Sequence, residues 1–283
     1  MAQTGSGLEI RRAADRLERS SADREQSDMK RYGVLWIGLS VLALAACAQR
    51  TVHGSGVIED VSSNASSFTK VAVDECDARI DYDTSYSVVV KVDDNVEPYL
   101  HIEQTGGMLR IFLEDDINYE HTTCKASVTL PSLASLAVDD SAHAKVASFV
   151  GATAMAFRAA DSSKIALKGL DAQRVTVHVA DSSAVEGDVT CDALKLDVAD
   201  SSEVTLEGTA SSVNLVAADS SSAGLATLKT ENAEIRLADS SEAEIWATGT
   251  LSGSATDSSE LFYKGKPSSV AVSTSDSSSV HAF

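Results

Sequence analysis

The triplet Asp-Ser-Ser recurs at Asp161, Asp181, Asp200, Asp219, Asp239, Asp257 and Asp276, preceded by a degenerate Asp140-Ser141-Ala142. The steps between these aspartates are 21, 20, 19, 19, 20, 18 and 19 residues. Each period has one grammar, clearest in Leu194-Lys-Leu-Asp-Val-Ala-Asp200-Ser-Ser-Glu-Val204-Thr-Leu206-Glu-Gly208: alternating apolar residues, a small polar corner, a second alternating pair and a turn residue. Alternation with period two describes strands. A unit this short cannot bury its own apolar face, so each must stack on its neighbour, and the chain must be a solenoid.

Helical solenoids need longer units with a 3.6-residue period, and no repeat shows the leucine-rich pattern L-x-x-L-x-L followed by Asn. An all-β fold remains: a single-stranded, right-handed parallel β-helix with about 19–20 residues per coil. Only 5% of residues are aromatic although 43% are hydrophobic, as expected of a core of stacked Val, Ala, Leu and Ile.

The repeat occupies residues 137–283. Residues 67–136 lack the triplet but keep strand texture, as in Phe68-Thr-Lys-Val-Ala-Val73, Ser87-Val-Val-Val-Lys-Val92 and Leu109-Arg-Ile-Phe-Leu113, and read as an irregular N-terminal β cap. Residues 47–66 read as a tether.

Met29-Lys30-Arg31, then fourteen uncharged residues from Gly33 to Ala46, then Leu44-Ala45-Ala46-Cys47, form the pattern of a lipoprotein signal peptide over residues 29–46 with Cys47 as the acylated residue. The apolar run is too short to span a bilayer. One acyl chain anchors only marginally, so several on Cys47 are what would hold the protein to a membrane. By resemblance to bacterial lipoproteins, Ala48 after the cysteine implies an outer-membrane destination. Residues 1–28 read as disordered or as an upstream start-site artefact, the alternative being a cytoplasmic tail on an uncleaved anchor.

Without residues 1–46 the chain carries 16 basic and 36 acidic residues. That field opposes nucleic acid as a partner. The four cysteines contain no C-x-x-C, so zinc and redox motifs of that kind are absent from the sequence. Cys76 and Cys124 are a candidate disulfide in an exported chain, and Cys191 is left as a small buried residue.

Stacked corners would place the seven aspartates in one file about 5 Å apart, with repulsion of about 0.8 kcal/mol per adjacent pair in water. Two offsets are available: Asx-turn hydrogen bonds from each aspartate to the backbone two residues on, or a divalent cation, calcium by the hardness of the oxygen ligands, although no calcium-loop motif is present. Strict alternation from Leu194, Leu196 and Val198 points Asp200 inward, whereas a bend at the corner would turn it out, and both remain open.

Gly54-Ser55-Gly56-Val57, Phe68-x-x-Val71-x-Val73, Gly107-x-Leu109-x-Ile111 and Val128-x-Leu130-Pro131-x-Leu133-x-x-Leu136, followed by repeated small-residue corners, resemble the auto-transporter adhesin head GIN domain family over roughly residues 53–280. The resemblance implies a β-helical fold and a cell-envelope setting. Family members often carry Gly-Ser-Gly-like corners where this chain has Asp-Ser-Ser.

The reading that follows is a non-enzymatic, lipid-anchored envelope protein presenting an acidic surface for adhesion, with an envelope or carbohydrate ligand. A cation-dependent binding module and a carbohydrate-active β-helical enzyme are the alternatives. The enzyme needs clustered acids with Arg158 or Arg174, and no repeat combines them. The six histidines lie far apart without H-E-x-x-H, and His178 with Asp181 and Ser182 is only a nominal triad.

Overall fold

The computed structural model describes residues 50–283; the expected signal peptide, the acylation residue Cys47 and the segment 1–28 lie outside the described residues. Four strands of 15 or 16 residues, Lys164–Val179, Ala184–Val198, Glu203–Ala217 and Ser222–Leu237, pair in parallel, each with the next. They are too long to be straight. In the first, the buried positions run Ile165, Leu167, then Leu170, Ala172, then Val175, Val177, Val179. Each three-residue step breaks the two-residue parity and marks a bend. With the Asp-Ser corner as a third bend, the chain wraps around a core and rejoins its neighbour in register.

Equivalent side chains therefore stack in columns. Val177, Leu196, Leu215 and Ile235 form one, and Ile165, Val185, Val204 and Ala223 another. Stacked at the spacing of paired strands, about 4.8 Å, aliphatic side chains fill such columns and few rings are needed. Cys191 is free and buried in the column of Ala172 and Ala210, where burial, Asp192 and Asp171 raise its thiol pKa to about 11.

The coils continue C-terminally as separate shorter strands, Glu242–Ala247, Thr250–Ala255, Glu260–Gly265, Ser269–Thr274 and Ser279–Ala282, all in parallel pairing. N-terminally the stacking begins earlier than expected. Lys70–Asp74 and Asp77–Tyr82, inside the segment read as a cap, pair in parallel with Ser135–Asp139 and His143–Ala147 and so form the first coil.

What caps that coil is antiparallel. Asp77–Tyr82 pairs in parallel with Cys124–Leu130, on which Ser87–Asp93 and then Ile58–Ser63 are laid antiparallel. Met108–Leu113 pairs in parallel with Lys70–Asp74 and antiparallel with Leu100–Thr105. Residues 50–63 are thus not a free tether: Arg50–His53 and Ile58–Ser63 are both paired strands. The Gly54-Ser55-Gly56 between them is held by the buried Asp93, whose carboxylate accepts the Gly56 and Thr123 amides at 2.6 Å each.

Candidate functional site

At every Asp-Ser-Ser corner, and at Asp140-Ser141-Ala142, the first two residues lie at positive φ, between 52° and 65°. The third residue's amide donates back across them, as Ser163 N–H does to the Ala160 carbonyl at 3.3 Å. Two successive left-handed residues inside an i to i+3 hydrogen bond make a type I′ turn. The middle serine's amide is not spent on the turn. Ser182 N–H donates to the Asp200 carbonyl and Ser201 N–H to the Asp219 carbonyl, each at 2.9 Å, so the parallel ladder runs through the corner unbroken.

This geometry decides the sides. Asp161, Asp181, Asp200, Asp219, Asp239, Asp257 and Asp276, with the serine after each, are exposed along one ridge. The third residues, Ser163, Ser183, Ser202, Ser221, Ser241 and Ser259, are buried. The Asx-turn expected from sequence is replaced: the amide it would have used, Ser163 N–H, goes to Ala160 and to the Ser183 hydroxyl at 3.1 Å. Left-handed backbone, not carboxylate capping, forms the corner.

Inside, the serines are a hydrogen-bonded file. The hydroxyls of Ser163, Ser221 and Ser241 donate to the Val138, Val198 and Ala217 carbonyls at 2.7, 2.9 and 3.0 Å, and Ser202 Oγ accepts the Ser183 amide at 3.2 Å. By register the file continues through Ala142 to Cys76 and Cys124, which form a disulfide with a Cα–Cα distance of 4.8 Å.

The ridge also continues past its last recognisable triplet. Glu75, at φ 58°, occupies the corner of the first coil, a position lacking Asp-Ser-Ser and so missed in the sequence. Acids crowd there. Burial first, then Asp140, Asp115 and Asp74, raise the Glu75 pKa from 4.5 to about 7. Burial and Asp161 likewise raise Asp140, and burial raises Asp139 despite its ion pair with Arg158.

Neither arginine named by an enzyme reading meets a cluster of free acids. Arg158 is bound to Asp139, and Arg174 lies in an open groove of about 490 Å³ with Lys195 and Asn214. The groove's one carboxylate, Glu234, is already held by Arg236 and Asn214. His178 faces Asp197 on the adjacent coil, at 3.4 Å, so the nominal triad with Asp181 and Ser182 does not assemble around it.

Residues 67–267 match the family described as "Putative auto-transporter adhesin, head GIN domain". The chain belongs to this family. Among solved structures, one described as a "putative lipid binding protein" from Parabacteroides distasonis is 21% identical with a TM-score of 0.76, covering 83% of this chain and 100% of its own. Another, described as a "putative adhesin" from Parabacteroides merdae, is 16% identical with a TM-score of 0.77, covering 83% and 99%. A second "putative adhesin" from Parabacteroides distasonis is 19% identical with a TM-score of 0.74, covering 82% and 100%. At these identities they share the fold. No curated protein matches the chain.

Proposed function

We propose that this chain is a non-enzymatic, lipid-anchored protein of the bacterial cell envelope whose acidic ridge is its adhesive surface. The observation that carries the reading is the choice of residues at the corners. Glycine occupies a left-handed position without strain, whereas a serine there costs roughly 1–2 kcal/mol and an aspartate, which visits that region more readily, costs less. The chain nevertheless holds Asp-Ser at eight consecutive corners, each pair exposed, and accepts the repulsion of stacked carboxylates as well. Strain repeated at one exposed feature supports a role for its surface chemistry. The family's adhesin description agrees with that role.

Acylation at Cys47 and outer-membrane sorting rest on the sequence pattern ending in Leu44-Ala45-Ala46-Cys47. Palmitate labelling of wild type and of Cys47→Ala tests the anchor: label should vanish in the variant, and label that survives refutes it. The adhesive surface is tested by pull-down on purified outer-membrane vesicles and on peptidoglycan. The triple variant Asp200→Asn, Asp219→Asn, Asp239→Asn should retain less than a tenth of wild-type binding, and equal retention refutes the ridge.

A second reading, cation-dependent binding, is favoured by the turn hydrogen bonds, which leave the corner carboxylates outside the turn. It requires that a chelator lower the melting temperature and that calcium restore it; an unmoved midpoint rules it out.

A further inference from the structure

We propose that His53, Glu120 and His121 form a binding site for a divalent first-row transition metal such as zinc, distinct from the acidic ridge. The three side chains come from two segments far apart in the chain. The parallel pairing of Arg50–His53 with Ile117–Glu120 sets His53 directly beside Glu120. His121 follows at φ 54°, a left-handed turn that ends the strand and lets its imidazole join the other two rather than continue the strand's alternation. Their ligating atoms lie within 4.8 Å of one another. A tetrahedral ion with ligands about 2.0–2.1 Å away needs them about 3.3 Å apart, a closure that rotation of exposed imidazoles supplies.

The donor set is the right chemistry. Two imidazoles and one carboxylate suit zinc and its neighbours rather than calcium or magnesium, which prefer all-oxygen sites. Three protein ligands leave a coordination position for water. A neighbouring side chain fixes the carboxylate. Asn118 Nδ2 donates to Glu120 Oε1 at 2.9 Å, leaving Oε2 to face His53 Nδ1 at 3.3 Å.

The frame beneath is fixed by close backbone approach. Gly54 N–H donates to the Glu120 carbonyl at 3.1 Å, Asn95 Nδ2 donates to the His53 carbonyl at 2.7 Å, and a Cβ on Gly54 would stand 2.5 Å from the His121 carbonyl oxygen. Glycine at 54 is what lets the two segments close together. A simple His53–Glu120 ion pair would need neither His121 nor this frame, and the experiment separates the two.

The test is zinc titration by calorimetry of the full chain, purified in detergent, stripped with a chelator and held in excess magnesium to occupy loose carboxylate sites. Wild type should bind one tight equivalent. His53→Gln and His121→Asn, the latter chosen because Asn tolerates the left-handed backbone, should each weaken it at least tenfold, and the double variant should abolish it. Asn118→Ala should weaken it by about 10–100-fold, because the Glu120 carboxylate loses the hydrogen bond that orients it. The ridge variant Asp200→Asn, Asp219→Asn, Asp239→Asn should keep it. Absence of a saturable equivalent in wild type overturns the proposal, as does an equivalent that survives the double substitution with circular dichroism unchanged.

Discussion

Cys124 stacks on Cys76 at the inner side of the first corner, their Cα atoms 4.8 Å apart and their sulfurs bonded. The distance is that of neighbouring strands, so the bridge joins the first coil to the cap strand Cys124–Leu130 stacked on it without bending either. It takes the place that a buried serine holds at the later corners.

The disulfide closes a loop of 48 residues in sequence, for which the chain-entropy relation gives about 4 kcal/mol. Cys76→Ala with Cys124→Ala should therefore lower stability by about 2–5 kcal/mol. Urea denaturation of the variant against oxidised wild type measures it, and coincident curves would show that the bridge adds nothing.

Gly187 lies at φ 136° with the Leu167 carbonyl oxygen 1.9 Å from where a Cβ would sit. Gly187→Ala must push two coils apart and should cost at least about 3 kcal/mol. Gly169, at φ 63° with open space around it, is the control. Gly169→Ala meets only left-handed strain and should cost about 1–2 kcal/mol. Equal losses would mean that inter-coil approach is not the constraint.

Ser221 is buried with its hydroxyl on the Val198 carbonyl. Ser221→Ala removes that donor and should cost about 1 kcal/mol. Ser221→Leu overfills the file and should cost about 1–3 kcal/mol. A leucine variant as stable as wild type would show that the inner corner has room to spare.

The raised pKa of Glu75 predicts how stability depends on pH. A folded-state value of about 7 against an ordinary 4.5 means that the folded chain holds this proton more tightly than the unfolded one. The contribution is full below about pH 4.5 and is lost as pH rises through 7. Glu75→Gln should raise the melting temperature at pH 8 and leave it nearly unchanged at pH 4.5. Solvent screening of a partly exposed carboxylate limits the effect to about 1 kcal/mol. A gain larger at pH 4.5 than at pH 8 would reverse the sign and refute the assignment.

Stacked carboxylates on the ridge should make the protein sensitive to salt. Asp200→Asn, Asp219→Asn, Asp239→Asn removes four neighbouring repulsions, worth up to about 3 kcal/mol in total at low ionic strength. Thermal melts should rise with sodium chloride in wild type and much less in the variant. Parallel salt curves would mean that the repulsion is already offset.

The spacing of the triplets and the two-residue alternation make the coil, its stacking direction and its small-residue core legible, because burial demands them of any unit this short. The side of the wall taken by Asp200 is not legible. It depends on two consecutive left-handed residues, a conformation usually signalled by glycine or asparagine, and here occupied by Asp200 and Ser201. Alternation from Val198 predicts the opposite side. The strands Arg50–His53 and Ile58–Ser63 were hidden for another reason: Gly54-Ser55-Gly56 has the composition of a linker, and its order comes from the distant Asp93. His53 and His121 likewise meet only because a parallel pair forms between segments with no shared pattern.

The unbroken ladder through each corner has a consequence for how such chains change in evolution. Each course offers its successor the same edge that it received, so a whole period can be duplicated or lost without remaking any junction. Reach becomes a quantity adjustable in increments of about 4.8 Å, while the ends stay as they are and the acidic file simply gains or loses one member.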